Sequence, residues 1–158
     1  MHDKNVSSAP DDAVNPADIR FAAMNLLARR EHSLRELREK LLRRFATGDL
    51  VEQALQRLVD ENLQSDERYA QSYLRQRCSR GYGPLRIRQE MRERGVSDTL
   101  IKLALEVENP DWMALAAQAY YKKFGQGKIL DLKEKSRRVR FLQYRGFTSE
   151  DFQHLLGD

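Results

Sequence analysis

Apolar residues recur along the chain at the spacing of amphipathic helices. The first such segment carries them at spacings of three and four residues, at Ile19, Ala22, Ala23, Leu26 and Leu27. Two similar segments follow, at 34–45 and 50–59. This spacing places side chains on one face of a helix, whereas strands show strict alternation, which we find nowhere in this sequence. The pattern predicts an all-α protein whose fold begins near Ala17 with three short helices.

This three-helix pattern is repeated along the chain. A shift of 50 residues brings apolar and turn positions into register, for example Ile19 with Tyr69, Leu37 with Ile87, Leu41 with Met91 and Arg44 with Arg94. A further shift of 51 residues does the same for a third unit, with Met91 on Leu142, Arg94 on Arg145 and Gly95 on Gly146. The leading helix of that unit fits a shift of 46 better. Amphipathic helices share apolar positions by chance, but the matched glycines and capping residues favour true repetition.

The repeat divides the chain into a tail and three units. Their predicted bounds are 1–16, 17–64, 65–108 and 109–158. The first segment is polar and acidic, without apolar periodicity, and is expected to be flexible. Within the units, Ser65 and Pro84 mark helix starts and Gly81 marks a helix end. We therefore expect nine helices in three tandem three-helix repeats that form an elongated, curved helical array.

Few residues support catalysis or metal binding. Cys78 is the single cysteine, so the chain has no internal disulfide and no cysteine-rich zinc site. The three histidines stand apart from cysteines and paired carboxylates, and a lone histidine on a helix is usually a packing or surface residue. The segment Gly81–Pro84 follows a helix and fits no phosphate-binding motif. We expect no enzyme activity, no cofactor and no metal.

No segment resembles a targeting or membrane sequence. The first eighteen residues lack an apolar core of signal-peptide length. No later stretch approaches the roughly 18 consecutive apolar residues of a membrane span. Together with the single cysteine, which suits a reducing compartment, these features predict a cytoplasmic protein with no membrane partner.

Positive charge is concentrated in the second and third units. The chain has 28 lysines and arginines against 24 aspartates and glutamates, a formal net charge of +4. Residues 75–94 contain seven arginines and two glutamates, and residues 122–145 contain nine basic and two acidic residues. Cations near helix C-termini also favour the helix dipole, so any single arginine has a structural explanation. The excess over two adjacent units nevertheless predicts an acidic partner.

Several side chains in these basic stretches are candidates for contact. Arg88 and Arg92 lie four residues apart and are predicted to share a helix face, where they could bridge phosphates or carboxylates. Tyr82 lies between two basic helices and is expected to stack on a base or on an arginine. Tyr69 and Tyr73 belong to the apolar stripe and are expected in the core. Three further tyrosines are candidates for stacking: Tyr120, Tyr121 and Tyr144.

The second unit contains a long, specific sequence motif. It reads SDERYAQSYL at 65–74, RGYGPLRIRQEM at 80–91 and RGVS at 94–97. With 33–37 in the first unit and 140–147 in the third, this motif resembles the RecX regulatory proteins of bacteria over about residues 17–157. The resemblance implies a tandem three-helix fold. It also implies a modulator, usually an inhibitor, of the RecA recombinase, which lodges in the groove of the RecA–single-stranded-DNA filament and suppresses ATP hydrolysis, strand exchange and coprotease activity.

The resemblance assigns electrostatic docking on the filament to residues of the central motif and of a second basic patch. The first set is Arg77, Arg80, Tyr82, Arg86, Arg88 and Arg92, and the second is Lys122, Lys123, Arg137, Arg138 and Arg140. The intervening turn residues are expected to be structural: Gly81, Gly83, Pro84 and Gly95. An elongated basic array can contact several filament subunits, which raises avidity without strong single contacts.

Two points stay open at this stage. The first unit has Phe45–Gly48 where the later units have an immediate glycine, so its second turn is expected to be looser. The alternative function is direct binding of DNA, because a three-helix unit can place a helix in a groove, and weak DNA binding is compatible with either function. We expect the chain to be a monomer.

Overall fold

The computed structural model describes residues 13–157, so residues 1–12 of the predicted acidic tail lie outside the described residues. The described chain is all-helical and contains no strand, as the sequence predicts. The first unit consists of α1 (Pro16–Arg29), α2 (Leu34–Arg44) and α3 (Gly48–Asp60). The second consists of α4 (Asp66–Ser79), α5 (Pro84–Glu93) and α6 (Asp98–Glu108). The third consists of α7 (Trp112–Phe124), α8 (Leu132–Tyr144) and α9 (Ser149–Phe152), followed by a 3₁₀ turn, Gln153–Leu155.

Side-chain caps fix the starts of most of these helices. Ser33, Ser65 and Ser97 each accept a hydrogen bond from the backbone N–H three residues later. Asp111 and Asp131 cap α7 and α8 in the same way. Such a cap satisfies one of the free N–H groups of the first turn and contributes about 1 kcal/mol. The capping residues therefore set where each helix of a unit begins.

Each unit encloses its own apolar core. The first core contains Ile19, Leu37 and Leu55, the second Tyr69, Ile87 and Met91, and the third Ala116, Leu142 and Phe147. Trp112, the first residue of α7, packs against both the second and the third core. Within the described chain, hydrogen bonds and ion pairs between units join only neighbouring units. The units are therefore arranged in tandem.

Neighbouring units meet where the second helix of one unit begins and the second helix of the next unit ends. In the first joint, between units one and two, Ser33 Oγ donates to Arg94 O at 2.7 Å. In the second joint, between units two and three, Gly83 N donates to Arg145 O at 2.7 Å. A Cβ on Gly83 would lie 2.4 Å from the backbone of Gly146. Only glycine allows the two turns of the second joint to approach this closely.

The turn between α2 and α3 differs from its counterparts in the other units. α5 and α8 are followed by Gly95 and Gly146, and both glycines have positive φ. In the first unit Gly48 begins α3 instead, and Thr47 before it makes no side-chain cap. The Thr47 hydroxyl is buried without a hydrogen-bond partner in the described chain. The first unit thus turns without the positive-φ glycine of the later units.

Candidate partner-binding surface

The turn between α4 and α5 gathers arginines around one tyrosine. The guanidinium carbons of Arg77, Arg86 and Arg145 lie 3.8, 4.5 and 5.0 Å from the centre of the Tyr82 ring. Arg77 also pairs with Glu90 at 3.0 Å. Cation–π contacts contribute about 0.5–2 kcal/mol each, depending on exposure. Tyr82 thus stacks on arginine, one of the two partners predicted from the sequence, and Arg77 and Arg86 help to hold the turn in place.

Arg145 belongs to this cluster although the sequence-based docking set omits it. Its Nη1 donates to the backbone oxygen of Arg80 at 3.1 Å, and its guanidinium lies 5.1 Å from the centre of the Phe141 ring. The signal that could have identified it is the repeat itself, which places Arg145 on Arg94 before a glycine. Arg94 likewise lies in a joint, where it pairs with Glu36 at 3.5 Å.

Five of the predicted docking residues are exposed and make no ion pair within the described chain. They are Arg80, Arg88, Lys122, Lys123 and Arg140. An exposed cation with no carboxylate beside it can meet an incoming anion without first breaking an ion pair. These five residues form the part of the predicted set that is directly available to an acidic partner.

Two more residues of the predicted docking set are exposed but already form an ion pair with a carboxylate of the chain. Arg92 pairs with Asp98 at 2.8 Å, and Arg137 pairs with Glu134 at 3.0 Å. Ion pairs between exposed side chains are worth about 0–1 kcal/mol, so a partner anion can replace these carboxylates at little cost. Arg92 and Arg137 remain compatible with docking.

Arg138, which the sequence prediction places in the docking patch, is buried in the structure. Arg138 is only 5% exposed, and its Nη1 donates to the Tyr120 hydroxyl at 2.6 Å and to Gly127 O at 3.0 Å. Its Nε donates to Glu134 at 2.9 Å, and hydrogen bonds from Arg137 and Arg138 lower the pKa of Glu134 to about 2. Arg138 therefore holds the α7–α8 loop against α8. Tyr120 is buried in the third core and is not available to stack on a partner.

The sequence pattern also did not predict the buried polar residues at the first joint. His32 is buried; its Nδ1 lies 3.0 Å from Arg30 O and its Nε2 lies 3.0 Å from Lys40 Nζ. Burial lowers the pKa of His32, which favours a neutral ring that donates from Nδ1 and accepts at Nε2. Beside it, Glu36 accepts from the Tyr69 hydroxyl at 2.5 Å and from Arg30 at 2.8 Å. Burial, together with this hydrogen bond, raises the pKa of Tyr69.

Two further properties concern the residues that the structure describes. Among them, no three His, Cys, Asp or Glu side chains are grouped so that they could hold a metal ion. None of the helices at 16–155 has the length and apolar character needed to cross a membrane.

Comparison with known proteins identifies the family. The chain matches three RecX family models: the first three-helix domain at 20–58, the second at 65–105 and the third at 110–156. It is 45% identical over 132 residues to the regulatory protein RecX of Halorhodospira halophila, covering 84% of this chain and 82% of that protein. It is 42% identical over 141 residues to the regulatory protein RecX of Pseudomonas entomophila, covering 89% and 91%.

Solved structures agree with this fold. The crystal structure of RecX from Lactobacillus salivarius superposes with a TM-score of 0.70 at 21% identity, covering 94% of this chain and 96% of that chain. A second crystal structure of regulatory protein RecX gives a TM-score of 0.75 at 21% identity, covering 90% of this chain and 73% of that chain. The three family models together span nearly the whole described chain, and the chain belongs to the RecX family of regulatory proteins.

Proposed function

We propose that this chain is a negative regulator of RecA that binds in the groove of the RecA–single-stranded-DNA filament and inhibits its ATPase, strand-exchange and coprotease activities. The observation that carries the proposal is membership of the RecX regulatory family over all three units. The five exposed cations without an ion pair support it, because the filament contains a polyanion.

The tandem arrangement suits such a partner. Arg80 and Arg88 belong to the second unit, and Lys122, Lys123 and Arg140 belong to the third. Contacts from separate units to successive subunits of a filament add up to a high avidity even when each contact is weak. In this proposal the chain acts as a cytoplasmic monomer, and light scattering of the purified protein tests the oligomeric state.

The proposal gives the chain no catalytic step. Cys78 is the single thiol of the sequence, and burial, with a smaller contribution from Glu108, raises its pKa to about 11. A thiol with such a pKa is almost fully protonated near neutral pH and is a poor nucleophile. Inhibition in this proposal comes from occupation of the groove alone.

The experiment is a titration of RecA ATP hydrolysis on single-stranded DNA with this protein, from well below to above one molecule per RecA subunit. It is carried out at two salt concentrations and with a control that contains excess DNA. Inhibition at substoichiometric ratios that excess DNA does not relieve supports action on the filament. Inhibition that requires enough protein to coat the DNA, and that excess DNA removes, supports direct DNA binding as the function instead.

A charge-reversal variant tests the docking residues in the same assay. The double variant Arg88→Glu/Arg140→Glu should raise the concentration for half inhibition by about tenfold, because reversed charges repel the polyanion. The matched control is Arg43→Glu, another exposed arginine without an ion pair in the described chain, which lies in the first unit. Circular dichroism checks that both variants keep their helicity. Equal inhibition by the double variant and the control would remove Arg88 and Arg140 from the docking surface.

A further inference from the structure

The two joints between units form two clefts that are counterparts of each other. The first joint cleft, of about 350 Å³, contains three arginines and three glutamates: Arg30, Arg77, Arg94, Glu31, Glu36 and Glu90. Among the described residues, the lining of the second joint cleft, of about 430 Å³, has four cations and no carboxylate: Arg80, Lys122, Lys123 and Arg145. The first cleft is balanced in charge, whereas the second is strongly positive.

The cations of the two clefts occupy equivalent positions. Arg30 and Arg80 are the C-cap residues of α1 and α4, the leading helices of their units. Arg94 and Arg145 each follow the second helix of the next unit and precede a glycine with positive φ. The shift of 46 residues that relates α4 to α7 places Lys123 on Arg77. The repeat has therefore kept the cationic frame in both clefts.

The carboxylates have no equivalent in the second cleft. The repeat shifts place Gly81 on Glu31, Arg86 on Glu36 and Phe141 on Glu90. The same shifts place Lys122 on the neutral Gln76, which adds another positive charge. The second cleft thus has the cations of the first without the anions that neutralise them.

Glu36 shows what an oxyanion does in such a frame. Its carboxylate accepts from Arg30 at 2.8 Å and from the Tyr69 hydroxyl at 2.5 Å, and lies 3.5 Å from Arg94 Nε. One anion thereby connects the C-cap arginine of one unit with the turn arginine of the next. In the second cleft the equivalent arginines contact each other only through Arg145 Nη1 and the backbone oxygen of Arg80, 3.1 Å apart.

The helix dipoles do not neutralise the second cleft. α4, α7 and α8 all end beside it, and each helix C-terminus carries roughly half a unit of negative charge. Three such ends offset less than half of four positive charges. Arg145 is partly held by the Tyr82 and Phe141 rings, while Arg80, Lys122 and Lys123 are exposed. The remaining positive charge faces solvent and attracts an anion.

We propose that the second joint cleft binds a phosphate group of a nucleic-acid backbone, in the position that the Glu36 carboxylate holds in the first joint cleft. A phosphate offers acceptor oxygens on several sides and so matches cations that converge from α7, from the end of α8 and from the α4–α5 turn. The two lysines suit phosphate as flexible point charges, and Arg145 adds a planar fork. The inference rests on the proposed function in one respect, since the filament would supply the phosphate.

The test measures binding to a fluorescein-labelled oligothymidylate by anisotropy over a range of salt concentrations, with no recombinase present. The variant is Lys122→Glu, which places a carboxylate at the rim of the cleft on an exposed helix position. Each phosphate contact to single strands contributes about 0.7 to the slope of log affinity against log salt concentration. We expect Lys122→Glu to weaken binding several-fold and to reduce the slope by about that amount, and Arg43→Glu to keep the wild-type slope.

A second measurement locates the anion. Backbone amide shifts in the NMR spectrum are followed on titration with sodium phosphate, and separately with a polyglutamate peptide, at constant ionic strength. We expect phosphate to shift the amides around Gly81, Lys122 and Arg145 in the wild type but not in Lys122→Glu. Unchanged shifts at these residues, or an unchanged salt slope in the variant, would overturn the proposal.

Binding of polyglutamate at the cleft without binding of phosphate would also overturn it, in favour of an acidic protein surface as the ligand. Because neither measurement contains RecA, a negative result here leaves the ATPase titration to decide the proposed function on its own. Conversely, a chain that binds phosphate in the cleft but leaves RecA hydrolysis unchanged keeps this inference and loses the proposed function.

Discussion

The first and second joints solve the same packing problem with different chemistry. At the first joint, buried or partly buried polar side chains from both units connect them: Ser33 donates to Arg94 O, and the Tyr69 hydroxyl donates to Glu36 at 2.5 Å. At the second joint the backbones themselves meet, with Gly83 N on Arg145 O and Leu85 N on Gly146 O. One joint is held by side chains that satisfy one another, and the other by close backbone approach.

This difference separates stability from binding. A side-chain network that is already satisfied leaves no charge for a partner, and it makes the first joint sensitive to the loss of any member. The second joint is fixed by main-chain hydrogen bonds and by two glycines, Gly83 and Gly146, at which a Cβ would clash with the other side of the joint. Its charged side chains are therefore not needed to hold the two units together and can carry excess charge. Side-chain variants of the first joint should therefore change stability, whereas charge variants of the second joint should change anion binding.

The largest effect is expected from Gly83→Ala. Its Cβ would lie 2.4 Å from the Gly146 backbone, and the φ of −95° at this position suits alanine, so the cost comes from the forced separation of the two turns. We expect the free energy of unfolding in urea to fall by about 3 kcal/mol. Gly127→Ala is the matched control, since no atom of the described residues lies within 4 Å of its Cβ position. Equal stability of the two variants would show that the close approach does not hold the second joint.

A smaller effect is expected from Ser33→Ala at the first joint. Ser33 is fully buried; its hydroxyl accepts from Glu36 N as the cap of α2 and donates to Arg94 O across the joint. We expect a loss of about 2 kcal/mol in urea unfolding, the sum of a cap and a buried hydrogen bond. Ser97→Ala removes an exposed cap only and should cost about 1 kcal/mol. If Ser33→Ala lowers the free energy of unfolding no more than Ser97→Ala does, the hydrogen bond from Ser33 to Arg94 O does not contribute to stability.

The sequence predicts the helices and units because their signals are local. The apolar spacing around Ile19 or Leu37 and the caps at Ser65 and Ser97 depend only on near neighbours. The repeat shifts add the tandem arrangement, since equal segments pack in equal ways. These signals explain why the element order and the three tandem three-helix units could be predicted from the chain alone.

Whether an individual polar side chain is buried or exposed depends on contacts distant in sequence, so it could not be predicted in this way. Arg138 is buried because Tyr120 and the Gly127 carbonyl receive it, and only the path of the α7–α8 loop brings them together. His32 is buried because Lys40 and Arg30 O flank its ring. A count of charges along the chain treats Arg138 and Arg140 alike, although only Arg140 is exposed.

The first joint should also respond to pH through His32. Burial lowers the pKa of His32 below its ordinary value of 6.5, while Glu36, Arg30 and Lys40 supply the nearby charges. The unfolded chain then binds a proton at a pH where the folded chain does not. Above pH 6.5, His32 is neutral in both states and does not lower the free energy of unfolding. As the pH drops from there toward the lower folded pKa, the free energy of unfolding falls by at most about 1.4 kcal/mol per pH unit.

Urea unfolding at a series of pH values measures this slope, with His32→Gln and His154→Gln as a matched pair. His32→Gln should remove the part of the loss between about pH 7 and pH 5.5 that comes from His32, which linkage limits to roughly 1 kcal/mol. His154→Gln, at an exposed position in the third unit, should retain the wild-type dependence. The same slope in both variants would assign the pH response to groups other than His32.

The smallest effect sharpens the comparison at the second joint. If its cleft lacks the anion that Glu36 supplies to the first, added phosphate should stabilise the wild type relative to chloride at equal ionic strength. A ligand at a concentration equal to its dissociation constant contributes about 0.4 kcal/mol, measured as a small rise in Tm. In Lys122→Glu the new carboxylate already lies beside Lys123, so the rise in Tm with phosphate should vanish, while the Tm in chloride should rise slightly.

Arg43→Glu should keep the full phosphate effect, which separates site binding from the general stabilisation that phosphate salts give to folded proteins. A gain of equal size in all three proteins would mean that the second joint, despite its charge, has no more need of an anion than the first.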